Sequence, residues 1–379
     1  MDMSQGFIPG MLSFQDQSDF DYSAFLQADN EIFGESAQNL QLSASDSSDK
    51  ATPPSSTSGS NGEVAIRRPS AQKQRLERRG HTKSRRGCYN CKRRRIKHEY
   101  LMHAILGFSA SELIKKDPSV VSSAMNHRIK AIRAIKKRLA ETARSSMNYE
   151  EANAMVATCY ALTFQSVSLE DGLAEFLTFI RGIMIVGMQM LFRGIKPIFE
   201  NMMEPEQDAL LEPLMQSLPL IPKGYTDSAI EALTNLRPLC AEGVELEYHQ
   251  HLMTMTEKLY INSWDAYKAY TSQYGWWMLL PHDTFQAFID PDNQVMMLLH
   301  THWIAINEIM APINGQERNV SDKYPPDQRE GKPDLDPGFA RWLKYLNASI
   351  DMEHQAYNQW PIWVEEQLDH DITFFGRVA

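Results

Sequence analysis

The character of the sequence changes abruptly near residue 99, and this change constrains the fold more than any other feature of the 379-residue chain. Before it, residues are mostly polar or charged, with little aliphatic material for a core. Beyond it, apolar residues recur at steps of three and four, the period of a helix and not that of a strand. We therefore expect an all-α domain at residues 99–379, preceded by residues 1–98 that cannot form a core alone.

Residues 122–144 predict an amphipathic helix with a basic outer face. Apolar side chains stand at steps of three and four from Met125 to Leu139. The cationic positions between them, which we expect to face solvent, are Arg128, Lys130, Arg133, Lys136, Lys137 and Arg138.

Capping signals predict where other helices begin. Asn148 followed by Glu151 is a capping-box arrangement, and Ser168 with Asp171 predicts another start in the same way. Prolines mark the breaks between later helices. We expect nine to eleven helices in all, the later ones at residues 229–235, 241–270, 293–310 and 337–359.

A strongly basic segment precedes the helical domain. Residues 67–97 contain fourteen Lys or Arg and one acidic residue, Glu77, for a formal charge of +13 in a chain that carries −10 overall. Such charge is typical of nucleic-acid binding, because neutralised phosphates release their counterions. A nuclear-import signal or a solvated basic face has the same composition, and the cysteines within the segment favour the first interpretation.

Two cysteines near the end of this segment, Cys88 and Cys91, are spaced to supply half of a tetrahedral zinc site. The string Arg-Gly-Cys-x-x-Cys-Lys-x-Arg-Arg-x-Lys at residues 86–97 resembles the zinc binuclear cluster domain of fungal transcription factors. In that family six cysteines hold two zinc ions, and the basic helix after the second cysteine enters the major groove of DNA.

The resemblance implies roles for individual residues. Cys88 and Cys91 match the first two zinc ligands of the family. The residues that we expect to contact DNA are Arg85, Arg86, Lys92, Arg93, Arg94, Arg95 and Lys97.

The chain departs from the family pattern directly after this string. The position of the third cysteine is taken by His98, and the last three cysteines have no counterpart. His98 and His103 could join the two cysteines in a mononuclear site, but a two-Cys, two-His finger usually has about twelve residues between its pairs. We expect an incomplete cluster with doubtful zinc occupancy, from a gene model or splice form that lost the remaining segment.

Residues 1–66 consist of an acidic part and a linker. Residues 2–49 contain nine acidic residues, no basic ones and several aromatic side chains. This composition is typical of a disordered activation segment that recruits the transcription machinery, although a tail that only maintains solubility has the same composition. Residues 43–62 are rich in Ser, Thr, Pro and Gly, which predicts a flexible linker.

Four strings in the helical domain carry a second resemblance, at residues 101–111, 127–132, 157–166 and 171–177. They look like parts of the C-terminal regulatory domain of the sterol uptake control protein type, which accompanies zinc binuclear clusters in fungi. The resemblance covers about residues 99–375 and implies an all-helical domain that, in the namesake proteins, binds a sterol in an apolar cavity. Many relatives instead regulate secondary-metabolite biosynthesis.

Residues 173–192 form the most apolar stretch of the chain. It contains Glu175, Arg181 and Gln189, so we expect a buried or amphipathic helix and no membrane span. Its methionines could shape an adaptable apolar pocket, although a stripe at helical spacing is more often plain core. The candidate pocket residues are Met184, Met188, Leu191 and Phe192.

The remaining patterns concern the class of protein. The sequence has no Gly-x-Ser-x-Gly elbow, phosphate-binding glycine loop or His-Glu-x-x-His, so we do not expect an enzyme. We predict a nuclear DNA-binding transcription regulator of sterol, lipid or secondary-metabolite genes. Its helical domain would sense an apolar ligand or form a homodimer. The alternative is a regulator without specific DNA binding that acts through protein partners or ligand binding.

Overall fold

The chain is described here by a computed structural model. It describes residues 97–114, 116–142, 148–198, 206–320 and 338–376. In these ranges the chain forms thirteen α-helices and several short 3-10 helices, and they contain no strand. The predicted all-α fold is confirmed, with more helices than the nine to eleven expected.

The helices are numbered in chain order. They are α1 Glu99–Leu113, α2 Val121–Thr142, α3 Tyr149–Ser166, α4 Leu173–Phe192, α5 Glu206–Gln216, α6 Lys223–Leu236, α7 Val244–Lys258, α8 Ser263–Met278, α9 His282–Phe288, α10 Gln294–Ile309, α11 Ala311–Asn314, α12 Phe339–Ser349 and α13 Gln359–His370.

Helices α1 and α2 form an antiparallel hairpin. Tyr100, at the start of α1, shares a core with Ile135 in the second half of α2. Gly107, further along α1, faces the first half of α2, where an added Cβ would lie 3.2 Å from the backbone nitrogen of Arg128. Glycine therefore permits the close approach of the two helices at this point. Helix α3 packs against α1 and α4 and completes this part of the fold.

Helix α10 is the centre of the second part of the fold. Every residue from Met296 to Ile309 is buried. Helices α7, α12 and α13 pack around it, and ring contacts such as Trp303 with Phe339, 5.4 Å between centroids, join them. A helix that is buried on all sides must be covered by other helices all the way round, as α10 is here.

Helix α4 lies between the two parts. Met184 and Met188 belong to the larger core around α10, whereas Ile183 and Val186 belong to the smaller core with α1, α2 and α3. By length and composition α4 could cross a membrane, but 67% of its apolar window is buried inside the fold. This burial is that of a core helix, as the sequence predicts.

Two of the predicted helix starts have different outcomes. Asn148 caps α3 as expected, since its side chain accepts a hydrogen bond of 2.9 Å from the backbone nitrogen of Glu151. The start predicted at Ser168 is wrong, because α4 begins after Gly172 without a side-chain cap. The chain folds back tightly there, and a side chain at Gly172 would collide with the backbone oxygen of Ser166.

The long helix predicted at residues 241–270 is also wrong. The chain breaks between α7 and α8, where the Asn262 side chain accepts a hydrogen bond from the backbone nitrogen of Asp265. The span predicted at 337–359 likewise ends early, because Ile350 is extended and a separate helix follows from Gln359. Neither break contains proline or glycine, so apolar periodicity alone did not predict it.

Candidate functional site

The basic segment meets the helical domain at Lys97. This side chain is exposed and forms an ion pair of 2.9 Å with Glu150, at the start of α3. The other residues predicted to contact DNA or zinc lie outside the described residues; they are Arg85, Arg86, Cys88, Cys91, Lys92, Arg93, Arg94 and Arg95.

The two histidines considered as zinc ligands face different partners. His98 precedes α1, and its Nδ1 atom lies 3.0 Å from the Tyr100 hydroxyl. His103 lies on α1 with its Nδ1 atom 2.9 Å from Nδ1 of His127 on α2. The structure therefore does not bring His98 and His103 together. Within the described ranges, no group of three or more His, Cys, Asp or Glu is arranged to hold a metal ion.

The two remaining cysteines are core residues. Cys159 is fully buried in the smaller core, and burial raises the pKa of its thiol to about 12. Cys240 is buried in the larger core, and burial raises the pKa of its thiol to about 11. Each thiol is enclosed in a core and belongs to no group of three or more His, Cys, Asp or Glu within the described ranges, so neither side chain is placed to hold zinc while the domain is folded.

Arg128 corrects one prediction, because it does not lie on the outer face of α2. The side chain is fully buried and forms an ion pair with Glu175 of α4. It also donates to the Ser166 hydroxyl at 2.8 Å and to the backbone oxygen of Leu162 at 3.2 Å. The guanidinium lies over the ring of Phe179, 5.5 Å from the centroid. Arg128 thus joins α2 to α3 and α4.

Arg138 also has its partners within the domain. It donates to Glu141 at 3.0 Å and to the buried Glu151 of α3. The hydrogen bond from Arg138 lowers the pKa of the Glu151 carboxyl, so this carboxylate stays charged at neutral pH. The half-buried Arg138 is therefore occupied in holding α2 to α3.

With Arg128 and Arg138 paired inside the domain, the basic surface of α2 consists of its exposed cationic residues. Lys130, Arg133 and Lys137 are exposed, at spacings of three and four that put them on one side of the helix. We call these three residues the basic stripe. Helix α2 contains six Lys or Arg and a single acidic residue, Glu141.

The four candidate pocket residues share one side of α4, but they differ in burial. Met184 and Met188 are buried in the larger core, and Leu191 is half-buried. Phe192 is 62% exposed. These four side chains of α4 therefore extend from the core to the surface.

Sequence patterns did not indicate a layer of aromatic rings on α7, α8, α9 and α10. Trp277 and Phe288 are stacked at 6.2 Å, and His300 meets Phe288 edge to face at 4.9 Å. Arg181 of α4 lies over Phe285 at 4.3 Å from the ring centroid. We call this layer the aromatic cluster; its members are Tyr248, Trp276, Trp277, Phe285, Phe288 and His300.

Polar atoms without hydrogen-bond partners lie in and beside the aromatic cluster. Gln273 is fully buried; its side chain lies close enough to the Tyr248 hydroxyl to act on the pKa of that phenol, but neither amide atom has a partner in full hydrogen-bond geometry among the described residues. Among the described residues, the indole nitrogens of Trp277 and Trp303 also have no hydrogen-bond partner. The rings of these two residues lie 5.5 and 6.0 Å from the ring of Tyr274. A buried polar group left unpaired costs about 1–3 kcal/mol, so an arrangement of this kind needs an explanation.

Comparison with known proteins gives no relatives. No family model, curated protein or solved structure matches the chain. The two family resemblances therefore rest on the sequence strings that carry them.

Proposed function

We propose that this protein is a nuclear transcription regulator that binds DNA through residues 67–97. The observation that carries the proposal is the charge of +13 on this segment, which contains the zinc-cluster string and ends at the first helix of a folded domain. Phosphate neutralisation by such a segment provides affinity for any DNA sequence.

The cysteines available do not fit a binuclear zinc cluster. The chain has four cysteines, and Cys159 and Cys240 are buried in the two cores. Cys88 and Cys91 alone cannot hold two zinc ions, each of which takes four ligands. Base-specific contacts need a reading helix held in a fixed position, so the proposed DNA binding is dominated by phosphate contacts and tolerates most sequences.

The helical domain is proposed to sense an apolar ligand that carries a hydroxyl or carbonyl oxygen. The aromatic cluster would contact its apolar body, and Gln273 would bond its oxygen. Such a ligand would give the amide, which interacts with Tyr248 but has no partner in full hydrogen-bond geometry among the described residues, a hydrogen bond of good geometry. Met184 and Met188 belong to the same core and remain candidate lining residues. This chemistry suits a sterol or a related secondary metabolite, whose biosynthetic genes are the proposed targets.

A regulator without specific DNA binding is the second candidate. The observation that favours it is again the burial of Cys159 and Cys240, which leaves the metal-held reading helix without its ligands. Such a protein would act through partners of its acidic N-terminal segment or by competing for the ligand.

Fluorescence anisotropy with labelled duplex DNA tests the proposal. The full chain should bind a random duplex with an affinity that falls steeply as salt is raised, and unlabelled scrambled duplexes should compete about equally well. Failure to bind duplex DNA at low salt would remove the DNA-binding function. A strong preference for one sequence at physiological salt would show that base readout persists without six cysteines.

A further inference from the structure

We infer that the basic stripe on α2 is a second DNA contact, which extends the phosphate-binding surface of residues 67–97 onto the folded domain. The inference rests on the proposed function and adds to it a surface that no sequence pattern assigns to DNA. The occupant is the phosphate backbone of the same duplex that the basic segment binds.

The first support is the absence of competing partners. Several exposed lysines of the domain are neutralised within it, as Lys97 is by Glu150 and Lys344 is by Asp369. In the part of the chain that the structure describes, Lys130, Arg133 and Lys137 have no ion-pair partner, although the whole chain is acidic. The local positive charge is therefore available to an anion from outside.

The second support is position. Helices α1 and α2 are antiparallel, since Tyr100 packs near Ile135 and Gly107 near Arg128. The stripe consequently runs from the middle of α2 toward the end of α2 that lies beside the start of α1. Lys97, the last residue of the basic segment, lies just before that start, so the stripe runs toward the point where the segment joins the folded domain.

The third support is spacing. Seven residues of helix separate the first and last members of the stripe, which is about 10 Å at 1.5 Å per residue. Phosphates of one DNA strand follow each other at about 3.4 Å along the duplex axis, so the stripe matches the rise of about three phosphates. The ion pairs of Arg128 and Arg138 hold α2 on α3 and α4, so the stripe is presented on a rigid helix.

The salt dependence of DNA binding by the full chain tests this inference. Each phosphate contact contributes about 0.9 to the slope of log K against log salt. The triple variant Lys130→Gln, Arg133→Gln, Lys137→Gln should reduce the magnitude of that slope by about 2 to 3. The matched control Lys223→Gln, Arg237→Gln, Lys258→Gln removes the same charge from α6, α7 and the turn between them, and it should leave the slope unchanged.

The outcomes separate the two proposals. If the unaltered chain binds DNA and both triple variants keep its slope, the stripe makes no DNA contact and only this inference fails. If the unaltered chain does not bind DNA, the proposed function and the inference fail together. Tighter binding by the stripe variant would mean that the stripe hinders contact with the duplex, and would also overturn the inference. Circular dichroism should confirm that both variants stay folded, because all the altered residues lie at the surface.

Discussion

The Nδ1 atoms of His103 and His127 lie 2.9 Å apart across the interface of α1 and α2. This distance allows one hydrogen bond, with one ring donating and the other accepting. Both pKa values are lowered. For His103 the causes are burial and then His127, which Glu99 opposes in part, with Lys130 contributing least. For His127 the causes are burial and then Lys130. The folded hairpin therefore disfavours protonation of the pair.

We expect this pair to make the domain sensitive to mild acid. The unfolded chain, in which histidine has a pKa near 6.5, binds protons that the folded chain excludes. The stabilisation that the neutral pair contributes is therefore fully present above about pH 6.5 and is lost as the pH falls below that value. The buried His300 and His302, each with a pKa lowered to about 4 by burial, act in the same direction.

Urea denaturation between pH 7.5 and 5 measures the effect of the pair. The double variant His103→Gln, His127→Gln should lose less stability over this range than the unaltered chain. His354→Gln, at an exposed turn, provides the control and should follow the unaltered chain apart from its own ion pair with Asp351. Equal pH slopes for the double variant and the unaltered chain would contradict the expectation.

A second prediction concerns the buried pair of Arg128 and Glu175. Replacing Arg128 with Met should destabilise the domain by about 3–5 kcal/mol, because a nearly buried carboxylate is left without its cation. Adding Glu175→Leu should recover much of that loss. Lys97→Met, which breaks the exposed pair with Glu150, should cost less than about 1 kcal/mol. Equal effects of Arg128→Met and Lys97→Met on the urea midpoint would show that burial does not govern the first pair.

A third prediction compares two fully buried glutamines. Gln165 donates to Ser111 at 2.9 Å and accepts from Arg128 at 3.3 Å, whereas Gln273 has no partner in hydrogen-bond geometry within the described part of the chain. In the absence of ligand, Gln165→Leu should lower the melting temperature more than Gln273→Leu, because Gln165 loses two hydrogen bonds of good geometry whereas Gln273 loses only its weaker interaction with the Tyr248 hydroxyl.

The same glutamine tests the proposed ligand site. A sterol that binds the native domain should raise its melting temperature, with a stabilisation of about 2.7 kcal/mol at a hundredfold excess over Kd. Gln273→Leu should reduce that shift, whereas Gln216→Leu on the exposed end of α5 should retain it. If a broad set of sterols, terpenoids and polyketides produces no shift, the aromatic cluster is plain core.

A fourth prediction concerns zinc. Mass spectrometry of the purified chain should find well under two zinc ions per molecule. The variant Cys159→Ala, Cys240→Ala should leave that content unchanged because both thiols are buried, whereas Cys88→Ala, Cys91→Ala should remove whatever zinc is present. A value near two, or a fall in the first variant, would mean that the ligand set has been misassigned.

Local signals in the sequence predicted part of the local structure, with the start at Ser168 as a failure. Asn148 predicted the start of α3, because a cap needs only one side chain and a backbone nitrogen three residues later. Apolar periodicity likewise predicted α2 and α10 to within a few residues. The break between α7 and α8 escaped prediction because the apolar pattern continues through it.

The same local signals did not predict contacts between residues that are distant in the sequence. The helical pattern placed Arg128 on a solvated face, and it contained no sign of the partner Glu175, which lies 47 residues away. The aromatic cluster joins residues as distant as Tyr248 and His300, which are separated by 52 positions. Which ring meets which depends on how helices cross, and one sequence without contact information does not contain that geometry.

The placement of α4 between two cores makes the domain a single cooperative unit. Ending the chain after Ser166 would remove Ile183 and Val186 from the smaller core, and beginning it at α5 would remove Met184 and Met188 from the larger one. Neither half has a closed interior of its own. Arg181 on Phe285 and Glu175 on Arg128 fasten the same helix to the aromatic cluster and to α2. Any rigid displacement of α4 is therefore transmitted to both of its neighbours, so the aromatic cluster and helix α2, which carries the basic stripe, are mechanically linked.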